Sequence, residues 1–186
     1  MMSFIELVKK ARSIRRFKEH ERIREDELRE LIEVVRFVPC GGNSQKLRYR
    51  LVFREEECEA VFPHIAWAAA LKDWAGPKAG ERPAAYIAIV SERPRDVDTG
   101  IAAVTLQYAA AERGLGACML GAIKREAIKE VLGLGDEWNL LLLIALGKPA
   151  EKVVLEDASE GDDLRYYRDA NDIHHVPKLR ADDLII

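Results

Sequence analysis

Cysteine is scarce in this 186-residue chain: Cys40, Cys58 and Cys118 are an odd number, stand far apart and show no CxxC spacing. A chain of this size buries enough core to fold without disulfide staples, so this usage fits a reducing compartment. Long apolar runs are missing as well. The stretch Leu140 to Leu146 falls well short of the ~20 residues that cross a bilayer. Near the start, apolar residues are broken by Glu6, Lys9, Lys10 and Arg12, unlike the apolar centre of a secretory signal. A cytoplasmic location is expected. Neither sign of charge dominates: 29 Lys+Arg against 32 Asp+Glu give a net charge of −3, which excludes a global basic field that would recruit nucleic acid or anionic membrane. Any anion site must be local. Two common nucleotide signatures are absent, because Gly114 to Gly121 is not GxGxxG and no P-loop occurs. Adjacent His174 and His175 point to opposite faces of a strand, and no Cys or Glu stands at ligand spacing from them, so no metal is expected.

What remains is 48% hydrophobic and 33% charged, a balance that supplies one core and a solvated surface and so one domain spanning residues 1–186. Phe4, Ile5, Leu7 and Val8 predict a short helix ending near Ala11. Leu28, Leu31, Ile32 and Val35 fall at i, i+3, i+4, i+7 behind an acidic first turn, predicting a helix over 25–37. Pro39 and Gly41-Gly42 stop it. Tyr49, Leu51 and Phe53 alternate with Arg50, Val52 and Arg54 as in a strand, 58–71 reads as helical in two pieces around Pro63, and 84–90 reads as a second strand. A long, Ala-rich helix capped by Asp98 runs to Gly114, a helix over 125–132 stops at Gly133, and 140–146 reads as a strand buried on both faces. This irregular alternation predicts an α+β layered architecture. The tail from Val153 shows little core of its own.

Several groups of residues carry chemistry. Arg12-Ser13-Ile14-Arg15-Arg16 sets guanidiniums and a hydroxyl beyond a helix end, which suits phosphate oxygens and equally suits a solvated basic turn. Lys178-Leu179-Arg180, if extended, points two cations to one side, toward an anion or toward water. The loop Pro39-Cys40-Gly41-Gly42-Asn43-Ser44-Gln45 combines glycines that admit close approach with amides able to meet a ring edge, or it is a plain turn. Gly114 to Gly121 is either a helix stop with a buried segment or a ligand-facing backbone. Trp67, Trp74 and Tyr86 line a ring-binding cavity or belong to the core.

Taken in order, Arg12-Ser13-Ile14-Arg15, Pro39 to Gln45, Gly114 to Gly121 and Lys178-Leu179-Arg180 resemble the FMN-dependent nitroreductase family, and the likeness extends over nearly the whole chain, including Tyr166 to Lys178, which is similar to a short branch of that family. The resemblance implies a nitroreductase-like α+β fold with a central, mostly antiparallel sheet flanked by helices. It also implies a homodimer with FMN at the interface and a C-terminal segment, about 160–186, packed on the partner subunit. By the same resemblance Arg12, Ser13, Arg15, Lys178 and Arg180 hold the FMN phosphate. Pro39, Cys40, Gly41, Asn43 and Gln45 border the ribityl chain and ring, and Met119, Leu120 and Gly121 offer backbone to the flavin. Lys78 and Trp74 are implied at the flavin pyrimidine and the rim of the substrate pocket. The implied activity is ping-pong hydride transfer from NAD(P)H to flavin N5 and on to a nitroaromatic, quinone or similar acceptor, the chemistry residing on the flavin and requiring no catalytic side chain. A flavin-binding sensor or carrier with little turnover, and a reductive dehalogenase or flavin-fragmenting relative, are the alternatives. Where the family pattern has a second basic residue, a Ser and a Pro-Trp pair, this chain has Ala11, Cys40 and Lys46-Leu47.

Overall fold

The apolar runs of the sequence become four strands: β1 (Arg48–Val52), β2 (Ala85–Ser91), β3 (Gly116–Leu120) and β4 (Asn139–Gly147). They form one sheet in the order β1-β2-β4-β3 with every neighbouring pair antiparallel. The computed structural model describes residues 2–71 and 73–186. All seven residues of β2 are buried, because helices cover both faces of the sheet. Successive β2 side chains therefore enter two different cores, Ile87 and Ile89 one, Tyr86, Ala88 and Val90 the other.

The first core is closed by α2 (Glu25–Val35) and α4 (Asp96–Glu112). Leu28, Leu31 and Val35 meet Ala102, Ala103, Leu106 and Ala110 over Ile144 and Leu146. Alanines along α4 let it lie close to its neighbours, and α1 (Phe4–Lys10) rests on its outer side with Phe4 edge-on to Tyr108. The second core is closed by α3 (Glu55–Val61) and α5 (Arg125–Val131), which place Cys58, Val61 and Ile128 against Val52, Leu143 and Ala145.

Two local expectations are corrected. Residue 95, not Asp98, occupies the N-cap of α4, and Asp98 lies buried inside the first turn. Helix does not continue over 65–71: α3 gives way to a single 3-10 turn, Phe62–His64, since Pro63 at its start supplies no N–H to prolong the ladder. Of the two readings open for Trp67 and Tyr86, the core is the one observed: both are buried in the second core. The tail is also more ordered than its composition implied. β5 (Val153–Ala158) pairs in parallel with β7 (His174–Leu179), and β6 (Tyr167–Arg168) adds to β7 antiparallel. Hydrogen-bonded ladders and ion pairs organise this small sheet, and neither leaves an apolar period in the sequence. Among the described residues no helix is long and apolar enough to cross a membrane.

Candidate functional site

The Arg-Ser-x-Arg-Arg segment lies across one end of the central sheet. Ser13 bridges Ala117 in parallel, the Ile14 N–H donates to the Ala117 carbonyl at 3.0 Å, and Phe17 bridges Pro149. Two glycines make room for it. Gly116 and Gly147 face each other across β3 and β4, and a Cβ on either would fall 2.8 Å from Ile14 or Phe17 respectively. The glycine pair is thus the floor on which the segment rests. Arg12 bonds its own neighbour, Nε to the Ala11 carbonyl at 2.8 Å, and the side-chain amide of Gln107 in α4 reaches the same carbonyl at 3.4 Å.

Glu151, which the sequence reading passed over, fixes the other side of this segment. Its side chain is only 2% exposed; Oε1 accepts the N–H groups of Arg15 and Arg16, and Oε2 accepts Arg168 Nη2 at 2.8 Å. A carboxylate so buried is stable only with several charge-assisted donors, and the backbone of the motif supplies two of them. The tail then covers Arg15. Its guanidinium sits 4.7 Å from the Tyr166 ring centre, donates to the Ser13 carbonyl at 3.3 Å, and lies 3.3 Å from His174 Nε2. Arginine can only donate, so Nε2 accepts and the imidazole proton resides on Nδ1, a buried atom without a partner among the described residues. Burial, reinforced by the charges of Arg15 and Arg168, pushes His174 down to about 4. Neighbouring His175 goes the other way, raised above its ordinary value chiefly by its hydrogen bond to Glu156, with Asp169 adding to it.

Beside Ser13 the outer edge of β3 is open. Because the Ala117 carbonyl turns outward to Ile14, the period of two turns the N–H and C=O of Met119 outward as well, whereas those of Cys118 and Leu120 face β4. Leu120 is buried, and Gly121 lies exposed just beyond the strand, its carbonyl accepting the Ile123 N–H at 3.1 Å. Arg12, Ser13, Arg15 and the Met119 backbone are therefore one neighbourhood.

Other expected residues lie elsewhere in the chain. The 39–45 loop turns through left-handed backbone at Gly42, Asn43 and Gln45, and its Gly41 N–H donates to buried Asp98 at 3.0 Å. Asp98 thus holds this loop at the start of α4, while Gln107 holds Ala11 nine residues on, roughly 14 Å along the helix at 1.5 Å per residue. Pro39, Cys40 and Gln45 line a cavity of ≈ 170 Å³ there. Lys178 is four residues along β7 from His174, about 13 Å at ~3.3 Å per residue, and Arg180 lies just past the strand, its N–H bonded to the Ala158 carbonyl. Within one chain the late cations therefore do not join the early ones. Trp74 belongs to a third place, a basin of ≈ 720 Å³ that it lines with Ala70, Leu71, Asp73 and the tail, where Arg168 lies 4.4 Å and Arg16 5.8 Å from its ring. Lys78 pairs with Glu81 at 3.6 Å, and Glu81 also faces Arg16 at 3.5 Å. Among the described residues no group of three or more His, Cys, Asp or Glu is arranged to hold a metal ion.

Comparison with known proteins decides the class of this arrangement. Residues 8–148, which carry every strand of the central sheet and the Arg-Ser-x-Arg segment, match the Nitroreductase family. The chain belongs to the nitroreductase family. Among solved structures, a nitroreductase family protein from Clostridium novyi NT is 24% identical, with a TM-score of 0.66, covering 80% of this chain and 87% of that one. An FMN-dependent nitroreductase from Clostridium difficile R20291 is 20% identical with a TM-score of 0.63, covering 80% and 89%. A protein from Exiguobacterium sibiricum 255-15 solved in complex with FMN is 18% identical with a TM-score of 0.66, covering 81% and 90%. These likenesses establish the shared nitroreductase fold, antiparallel sheet and flanking helices included. No curated protein matches the chain in sequence. Membership of this family places the chain among oxidoreductases.

Proposed function

We propose that this nitroreductase-family protein is an FMN-dependent NAD(P)H oxidoreductase that works as a homodimer in the cytoplasm. The observation that carries the reading is the Ser13–Ala117 bridge, which sets hydroxyl and guanidinium donors against a strand edge whose Met119 backbone faces outward. These residues fit the flavin's two ends. Phosphate oxygens need charged and neutral donors, and Arg12 and Ser13 offer both from a backbone that Glu151 and two glycines hold still. The heterocycle needs a hydrogen-bonding edge, and the Met119 N–H supplies one, with exposed Gly121 leaving open space beside it. When bound, FMN supplies the redox chemistry, accepting reducing equivalents from NAD(P)H and releasing them to a small acceptor such as a nitroaromatic or quinone.

In this reading the chain's own residues bind, orient and exclude water. Lys178 and Arg180 complete the phosphate site from the other protomer, since the single chain holds them far from Arg12. The 39–45 loop reaches the flavin in the same way, because α4 keeps it at the far end of its own subunit. The exposed apolar end, Leu184, Ile185 and Ile186, continues onto the partner. Trp74 stands at the rim of the basin that receives the acceptor, and Lys78 is the cation assigned to the flavin pyrimidine. The FMN complex of the Exiguobacterium neighbour supports the cofactor.

The test is an absorbance spectrum of the purified protein before and after anaerobic addition of NADH or NADPH. Flavin bands that bleach on addition, followed by steady consumption of nucleotide when quinone is supplied, are expected. Colourless protein that FMN does not reconstitute overturns the reading, and bleaching without turnover reduces it to a flavin-binding protein.

A further inference from the structure

At the opposite end of the central sheet, four cations line a cavity of ≈ 310 Å³: Lys46 from the segment leading into β1, Arg48 from its first position, and Arg93 and Arg95 from the turn between β2 and α4. Glu92 is the one carboxylate on its wall and Trp138 closes one side. Elsewhere in this chain arginines are commonly paired with acids, yet among the described residues none of these four makes an ion pair. Among the described residues the Arg48 guanidinium donates to the carbonyls of Gln45 and Leu47 and to no carboxylate. Arg95 Nε is buried with no acceptor among the described residues, a charged donor taken from water and given nothing in return. The turn that bears Arg93 and Arg95 is held in place by Asn139, whose side-chain amide donates to the carbonyls of Ser91 at 3.2 Å and Glu92 at 2.9 Å. Like charges gathered in a protein of net charge −3, on a braced turn, repel one another unless an anion sits among them.

We infer that this cavity is a phosphate subsite for the adenylate arm of the pyridine nucleotide. Guanidiniums match phosphate oxygens with paired donors, the indole of Trp138 gives an adjoining flat face for a purine, and the volume lies within the range of small-ligand sites. The cavity adjoins the one behind the 39–45 loop, with which it shares Lys46 and Arg48, so a dinucleotide with its adenylate here extends toward the loop assigned to the flavin. This assignment rests on the NAD(P)H reading above.

Two measurements test it separately from that reading. Inorganic pyrophosphate titrated calorimetrically into the protein is expected to bind, more weakly as salt rises, and Arg93→Ala or the milder Arg95→Gln is expected to reduce its affinity by about tenfold. Arg93 is exposed, so its loss leaves the fold intact. Absence of pyrophosphate binding, or equal affinity in both variants, overturns the subsite whatever the enzyme's activity. In steady-state assays pyrophosphate should compete with NADPH and NADH, and the KM for nucleotide should rise in Arg93→Ala by a similar factor. Pyrophosphate binding without competition overturns the co-substrate assignment and points to a free phosphate ligand. A protein that consumes no NAD(P)H overturns the oxidoreductase reading and this assignment together, while the calorimetry still judges the anion cavity by itself.

Discussion

Glu151 and Arg12 show how differently two charged side chains of one site are expected to behave. Glu151 is a structural anion: removing it takes from the buried Arg168 guanidinium its hydrogen-bonded carboxylate, leaving the more distant Asp172 at 3.7 Å, and strands two backbone N–H groups. Glu151→Ala should therefore cost about 3–5 kcal/mol in denaturant unfolding, the usual cost of breaking a buried ion pair from one side. A loss under about 1 kcal/mol would show that the carboxylate is not the clamp. Arg12 is partly exposed and its guanidinium is the one proposed to meet the FMN phosphate, so Arg12→Ala should leave unfolding nearly unchanged and weaken FMN retention by about 1.5–3 kcal/mol, measured by flavin release on dilution. Arg180→Ala should do the same if the partner's tail completes the phosphate site. Unaltered retention in both variants would contradict a shared anion.

For whole elements, the contact that matters is the motif segment lying on β3 and β4. Gly116→Ala puts a Cβ 2.8 Å from Ile14, and overpacking of this kind costs about 1–3 kcal/mol. Because Ser13 is bridged to Ala117, the segment that yields is the one proposed to bind flavin, so stability and FMN retention should fall together. Gly121→Ala is the contrasting case, since its nearest neighbour would be 3.9 Å away, and its unfolding should shift by less than about 0.5 kcal/mol. Equal stability for the two alanine variants would remove the argument. The secondary elements that the sequence announced are those with a strong period: α2 with its apolar stripe, β1 with alternation, β4 with an unbroken apolar run. Asp98 was misplaced as a cap because an acidic residue near a helix start is favoured in the first turn as well as before it, and only the position of Gly41 reveals its use.

At the scale of the molecule, the tail lies on the motif through Tyr166 and His174, and its hold is expected to depend on pH. His174 is neutral when docked, with its value depressed to about 4. A depressed value means that the undocked imidazole binds the proton more readily, so its contribution is complete above its ordinary value near 6.5 and is lost as pH falls from there through 4. His175, raised by Glu156 and Asp169, contributes most below its ordinary value and fades as pH rises through its elevated one. Protection of the amides of residues 166–175, that is exchange relative to the intrinsic rate at each pH, should fall between pH 6.5 and 4, and His174→Asn should flatten that dependence. An identical pH slope in the variant would exclude His174 as its origin.

How much of this was readable beforehand depends on the range of the interactions involved. Composition excluded a membrane span by helix and a basic nucleic-acid surface. Local patterning located β1, β2, β4 and the helices α2, α4 and α5, because burial of alternate or every third-to-fourth residue is written into adjacent positions, whereas β3 read only as a short apolar segment and α3 was drawn too far toward residue 71. The order of motifs gave the family, which the match over residues 8–148 established. What only the tertiary structure decided involves partners distant in the chain. The Glu151 clamp spans 136 residues and the Arg15–His174 contact 159. The Gly116–Gly147 floor and the four cations at the far end of the sheet, without ion pairs among the described residues, are likewise assembled by folding. A single carboxylate, glycine or arginine carries no local pattern that names its partner, and its meaning appears only when the sheet brings that partner beside it.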